Sequence, residues 1–264
     1  MLKYLMKYDL KKMYKLLKWL YILSVVLAGI TRLLSIWNDV QIIKIIGMVF
    51  SAFTYTAIIN TIVNTFIHIL IRFAHNFYKD ESYLTHTLPV KKSDLILSKF
   101  LSSLIVVLSS VAVTFLSLFI LFYTPEFVQG IKSAIDGVVA GFSISGGWFI
   151  FFIVLVVFAQ ICALMSFAFM AIVKGYSYNK NRGICGFVWF ILYYSVCSIT
   201  SLILSVIVTA ITGDLTSLFS NQLTNGAFLS IMIISLVSYI AYAILFYFIC
   251  QREFKKGVNV DWFI

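Results

Sequence analysis

Acidic residues are scarce in this chain: ten against twenty basic ones in 264 residues. Asp39, Glu126, Asp136 and Asp214 fall in connections between long apolar runs, and no clear carboxylate lies deep inside a run. Ion-coupled carriers often hold their ion on such a carboxylate, so its absence counts against one, although neutral oxygens can also bind sodium. A phosphate loop of the form Gly-x-x-x-x-Gly-Lys-Ser/Thr is missing too; Lys174-Gly175 has the wrong order and context. Neither His-Glu-x-x-His, Gly-x-Ser-x-Gly nor paired glutamates occur, and His68, His75 and His86 have no spacing that suggests a shared metal. Cys162, Cys185, Cys197 and Cys250 lie in or at the ends of apolar runs, without metal spacing, and read as small buried apolar residues. The chain therefore reads as not an enzyme, with no metal or cofactor of its own.

What is present is apolar length. Six runs, at 19–37, 45–71, 95–123, 147–173, 184–211 and 227–250, are each long enough to cross a hydrocarbon core about 30 Å thick, which takes roughly 20 helical residues. Backbone groups cannot go unpaired in lipid, so the runs must be helices; barrel strands would be only about 10 residues long. The fold class is an all-α membrane protein with six transmembrane helices, 19–250 forming the transmembrane domain and 251–264 a tail.

Basic residues set the expected orientation. Lys3, Lys7, Lys11, Lys12, Lys15 and Lys18 precede the first span; Arg72, Lys79, Lys91, Lys92 and Lys99 flank the second connection. Lys174, Lys180 and Arg182 lie in the fourth connection, and Arg252, Lys255 and Lys256 in the tail. Only Arg32, Lys44 and Lys132 fall on the other side, which places both termini in the cytoplasm. The net charge of +10 thus records topology rather than nucleic-acid binding, and anionic inner-leaflet lipid is the expected partner of the basic N-terminus. Trp19 and Tyr247 near inner ends, with Trp37, Tyr123 and Trp148 near outer ones, supply interfacial belts. No cleavable signal peptide is expected, because the first apolar run follows a long lysine-rich stretch.

Residues 1–18 read as an interfacial, elbow-like amphipathic helix, with Leu2, Leu5, Met6, Met13, Leu16 and Leu17 among the lysines. In the connection 72–94, Pro89 should break the chain, Ser93 can cap the third span, and Asp94 suits its first turn. Upstream, Phe77, Tyr78, Tyr83 and Leu84 alternate with Lys79, Asp80 and Glu81, a pattern suited to docking a cytoplasmic protein. On the outside, segment 124–146 has Val128, Ile131, Ile135, Val138, Val139 and Phe142 at helical spacing, opposite Gln129, Lys132, Ser133 and Asp136. It should form a short helix lying on the outer surface or capping an exit.

Two polar stripes run through the spans. On the second, Thr54, Asn60, Thr61, Asn64, Thr65 and His68 occupy one arc; on the fifth, Tyr194, Ser198, Ser201, Ser205, Thr209 and Thr212 form a line. Small hydroxyl residues at four-residue spacing let helices pack closely, and the serine line suits that role. Asparagines and a histidine are bulkier and costlier in lipid, which favours a polar cavity or subunit contact for the arc.

The stretch Tyr78-Lys79-Asp80-Glu81-Ser82-Tyr83-Leu84-Thr85-His86-Thr87-Leu88-Pro89-Val90, followed by Leu95-Ile96-Leu97-Ser98-Lys99, resembles a loop of bacterial type-2 ABC exporter permeases. Many of these read approximately Asp-Glu-x-Tyr-Leu-Thr-x-Thr-Leu-Pro and then Leu-x-x-Ser-Lys between the second and third spans. The six-span layout and basic N-terminus agree across the chain. The resemblance implies a permease half in the bacterial cell membrane that pairs with a second copy or a paralogue and with cytoplasmic ATP-binding subunits, where ATP and magnesium would be held. It implies that Asn76, Phe77, Tyr78, Lys79, Asp80, Glu81, Tyr83 and Leu84 couple to the ATPase. The candidate translocation path is Thr54, Asn60, Thr61, Asn64, Thr65 and His68 with Ser198, Ser201 and Ser205. An amphipathic substrate (peptide, antibiotic or lipid-like) would suit a path without a charged ring. The alternatives are an ion-coupled secondary transporter and a non-transporting scaffold, sensor or immunity protein.

Overall fold

The computed structural model describes residues 2–37, 41–79, 81–87, 89–142, 145–178, 180–212 and 224–256. Eight helices follow in order: α1 Leu2–Ile36, α2 Gln41–Tyr78, α3 Ser82–Thr87, α4 Lys92–Phe122, α5 Pro125–Phe142, α6 Gly146–Gly175, α7 Arg182–Ile211 and α8 Asn225–Lys255. No strand occurs among the described residues. Six of these helices, all but α3 and α5, are long and apolar enough to cross a membrane. The chain is an all-helical protein of the multi-pass membrane type.

The chain divides into two compact units, Met1–Gln129 and Gly130–Ile264. In the first, α1 packs against both α4 and α2. Its buried residues, Asp9, Met13, Leu17, Ser24, Ala28 and Thr31, recur at steps of three, four or seven and form one narrow stripe. The stretch 1–18 is not a separate element, because α1 runs unbroken from Leu2. At 1.5 Å per residue its 35 residues span about 52 Å, and the 38 of α2 about 57 Å, so both exceed a core roughly 30 Å thick. Facing them, α4 buries a run of small hydroxyls: Ser98, Ser102, Ser103, Ser110, Thr114 and Ser117. Such side chains allow close approach and hydrogen-bond across helices. Thr31 and Thr54 meet hydroxyl to hydroxyl at 2.7 Å, and Ser110 donates to the Thr61 carbonyl at 3.5 Å.

In the second unit α6 packs against both α8 and α7. Ala163, Phe167 and Cys197 form its core, covered by Phe190, Tyr239, Tyr242, Ala243 and Phe246. Phe167 meets Phe246 edge to face at 4.8 Å, and Ser166 donates to the Ala243 carbonyl at 3.1 Å. A Cβ on Gly175 would lie 2.6 Å from the Gly186 backbone, so α6 and α7 approach this closely only because residue 175 is glycine.

Local signals set several helix ends. Ser145 and Thr224 cap α6 and α8 by accepting from the Trp148 and Ala227 amides. Asn181 precedes α7 in the left-handed region (φ 52°), which asparagine tolerates. Ser93 does not cap α4. The helix starts earlier, with Lys91 extended at the cap position and making no side-chain cap bond, while Asp94 does fall in the first turn. α5 forms where its apolar spacing places it and buries none of its residues.

Candidate functional site

The first unit carries a cluster of charges at its lysine-rich end. Asp9 on α1 is 1% exposed and accepts from the Lys99 ammonium of α4 at 2.5 Å. Arg72 on α2 is also buried; its guanidinium lies 3.9 Å from Asp9 and donates to Glu81 at 2.9–3.0 Å. Asn76 donates to Asp9 at 3.4 Å, and Lys12 pairs with Glu81. Three helices and the start of α3 are thereby tied through five charged side chains. Burying charges is tolerable because each has an opposite partner, whereas removing one partner leaves an uncompensated charge. Burial alone would raise the Glu81 pKa, but hydrogen bonds from Arg72 and Lys12 outweigh it and hold the carboxyl below its ordinary value.

Two residues of the loop that carries the family resemblance, Glu81 and Lys99, belong to this cluster. Sequence reasoning missed its centre, Asp9. The available signal was a lone acid among the lysines of the first 18 residues, four and eight positions before the apolar Met13 and Leu17 of the same helix face.

The fold also separates buried from exposed residues in the segment expected to couple to a partner. Asn76, Phe77 and Tyr78 end α2 and are buried within the unit, so the expectation that they form a docking surface is corrected. Lys79 is exposed and Glu81 half-buried. Asp80 lies outside the described residues. The six-residue α3 then turns Tyr83 and Leu84 outward, 71% and 67% exposed. Glu81 anchors its start, its carbonyl accepting from the Thr85 amide at 3.0 Å and the Thr85 hydroxyl at 2.8 Å.

The second-span arc separates into two faces. Thr54, Thr61 and Thr65 are fully buried and bond their own preceding turns, so they are packing residues and line no open path. Asn60 is exposed, and Asn64 and His68 are half-buried. Asn64 donates to the Asn60 carbonyl at 2.9 Å. Asn64 and His68 border a cavity of about 660 Å³ between α1 and α2, which Lys12, Lys15, Leu16, Trp19 and Leu20 complete. On α7, Ser201 hydrogen-bonds Tyr242 of α8 at 3.2 Å and is a packing residue. Ser198 is exposed, and Ser205 bonds its own helix at Leu202.

Fold and site define an all-helical multi-pass chain whose first unit encloses a charge cluster beneath a short exposed helix. No protein-family model, no curated protein and no solved structure matches it.

Proposed function

We propose that this chain is the permease subunit of an ATP-driven exporter of the bacterial type-2 ABC class, set in the cell membrane with both termini in the cytoplasm. The observation that carries the reading is α3, a single short helix at the lysine-rich end that presents Tyr83 and Leu84 while its root is braced by buried ion pairs. Two large apolar side chains held outward on a braced helix can transmit a push from a docked protein to α1, α2 and α4 together. A separate ATP-binding subunit, with its ATP and magnesium, would supply that push, and a second copy or paralogue of this chain would complete the pathway. Substrate would be amphipathic, consistent with polar groups at Asn60, Asn64, His68 and Ser198 that are neither charged nor fully enclosed.

The test is affinity purification from the native host in mild detergent, with co-purifying proteins identified and ATP hydrolysis assayed. A stoichiometric soluble subunit with a phosphate loop is expected. Replacing Tyr83 and Leu84 together by alanine should weaken its retention about 30-fold or more, the scale of truncating an interface hot spot at about 2 kcal/mol or above. The double variant should still insert and fold, since neither side chain is buried. Glu81 is a poorer probe, because its reversal would also break the cluster. A clean preparation without ATPase after crosslinking in cells, or full retention by the double variant, would overturn the reading.

A further inference from the structure

The cavity between α1 and α2 carries lysines and an aromatic wall on its α1 side that the exporter reading does not use. Lys12 and Lys15 sit at its lysine-rich end; Leu20 and the exposed Trp19 ring form apolar wall; Asn64 and His68 close it on the α2 side. Two of these residues, Lys12 and Lys15, are cationic and none is acidic. Glu81, the acid that pairs with Lys12, is also engaged by Arg72. Lys12 gives one donor to Glu81 and an ammonium has three. Lys15 makes no ion pair or hydrogen bond among the described residues, whereas Lys18 is folded over the Trp19 ring at 5.3 Å. The His68 Nε2 atom is buried and has no hydrogen-bond partner among the described residues. The Asn64 side-chain nitrogen is taken by the Asn60 carbonyl, and its oxygen accepts no hydrogen bond among the described residues.

We infer that this cavity is a binding site for one anionic phospholipid, with the phosphate-bearing headgroup at Lys12 and Lys15 and the glycerol region reaching Asn64 and His68. The polarity runs in the order such a molecule needs: cations toward the helix start, then an aromatic, then apolar wall. Trp19 follows the lysines along α1 and is an amphipathic ring of the kind enriched at membrane boundaries. A volume of about 660 Å³ lies in the ordinary range of ligand cavities, roughly 300–1,000 Å³. Charge complementarity favours an anionic headgroup over a zwitterionic one, because the walls offer donors and no carboxylate to meet a choline or ethanolamine cation. The inference does not depend on an ATP-binding partner and survives if the exporter reading fails.

The experiment is native mass spectrometry of the full-length chain in mild detergent, titrated separately with short-chain phosphatidylglycerol, short-chain phosphatidylcholine and inorganic phosphate. Wild type should hold one phosphatidylglycerol per chain, at least about tenfold more tightly than phosphatidylcholine. A lysine near an anionic membrane surface contributes about fivefold in affinity, so Lys15→Gln should weaken phosphatidylglycerol by about that factor. His68→Leu should weaken it too, whereas a histidine that only packs would leave lipid affinity unmoved. Lys11→Gln is the control, an exposed lysine on the same helix outside the cavity, and should bind as wild type. Each variant is first checked for helicity and a monodisperse elution. Equal binding of phosphatidylcholine, equal weakening by Lys11→Gln, no effect of Lys15→Gln, or displacement of the lipid by inorganic phosphate at comparable concentration would each overturn the proposal.

Discussion

Each unit consists of three long helices with the first packed against the other two, yet the two units handle their cations differently. In the first, buried Lys99 and Arg72 are neutralised by Asp9 and Glu81. In the second, Lys174 lies over the Trp189 ring at 5.8 Å and Arg182 over the Tyr176 ring at 5.9 Å, and the pair Lys256–Glu253 is surface chemistry. An aromatic face attracts a cation without requiring that a carboxylate be desolvated, so it suits a site that stays partly wet. A carboxylate gives stronger and more directional pairing, at the cost of failing badly when one partner is lost. Their interiors diverge in the same sense. Charges are buried alongside a run of hydroxyls in the first unit, whereas the second buries no charged side chain among the described residues and centres on Ala163, Phe167 and Cys197. A unit that must brace an exposed short helix needs joints with defined direction; one held by shape needs only a fit.

The largest test of this contrast is Asp9→Leu. It strands Lys99 without its buried partner, leaves Arg72 with Glu81 alone, and should destabilise the first unit by about 3–5 kcal/mol. A thermal melt in detergent would read this, and Asp9→Leu combined with Lys99→Met should lose less than the two single changes added together. A loss below about 1 kcal/mol for Asp9→Leu would mean that the cluster is hydrated and not a structural joint.

Next in size is Gly175→Ala in the second unit. Its new methyl would meet the Gly186 backbone at 2.6 Å, which cannot yield as a side-chain tip can, so a loss of about 1–3 kcal/mol is expected. Gly186→Ala is the matched contrast, because its Cβ would meet the Ala171 carbonyl at an ordinary 3.5 Å. That change should be near neutral, or stabilising by up to about 1 kcal/mol through helix propensity. Equal losses at the two positions would refute the one-sided contact.

The smallest effect concerns pH. The folded pKa of Glu81 is lowered from its ordinary 4.5, so its contribution is fully present above that value. It is lost as pH falls through the lowered folded value, because the unfolded chain then binds the proton more readily. Melting curves of wild type should therefore fall more steeply below pH 4.5 than those of Glu81→Gln. Identical slopes would show that the pairs with Arg72 and Lys12 carry no net stabilisation.

Much of the architecture was legible in the sequence because lipid demands local closure of the backbone. A run such as 95–123 must satisfy its own amides, so length and hydropathy suffice to call it a helix. The α5 helix was legible for a related reason: Ile131, Ile135, Val138 and Val139 repeat at a helical period, whatever lies around them. The start of α4 was less so. Ser93 is a good capping residue, but the chain entered the helix before it, since a cap is chosen by backbone geometry at Lys91 and not by the best side chain nearby.

The candidate site was legible only in part. The loop pattern pointed to residues 76–84, yet nothing in it separates buried Phe77 and Tyr78 from exposed Tyr83 and Leu84. The arc on the second span was visible as polarity, but its division into a threonine face and an asparagine–histidine face depends on where α1 and α4 lie. The α4 serines were overlooked because small hydroxyls hardly lower the hydropathy of a span.

Sequence alone thus determined the number of spans, the helical class and the asymmetry of charge, since each follows from local composition set against a fixed membrane thickness. Only the tertiary structure decided that Asp9 meets Lys99 across ninety positions, that Arg72 bridges to Glu81, and that α3 faces outward. Those pairings link segments far apart in the chain, and an ionic contact leaves no periodic trace by which its partner could be found in advance.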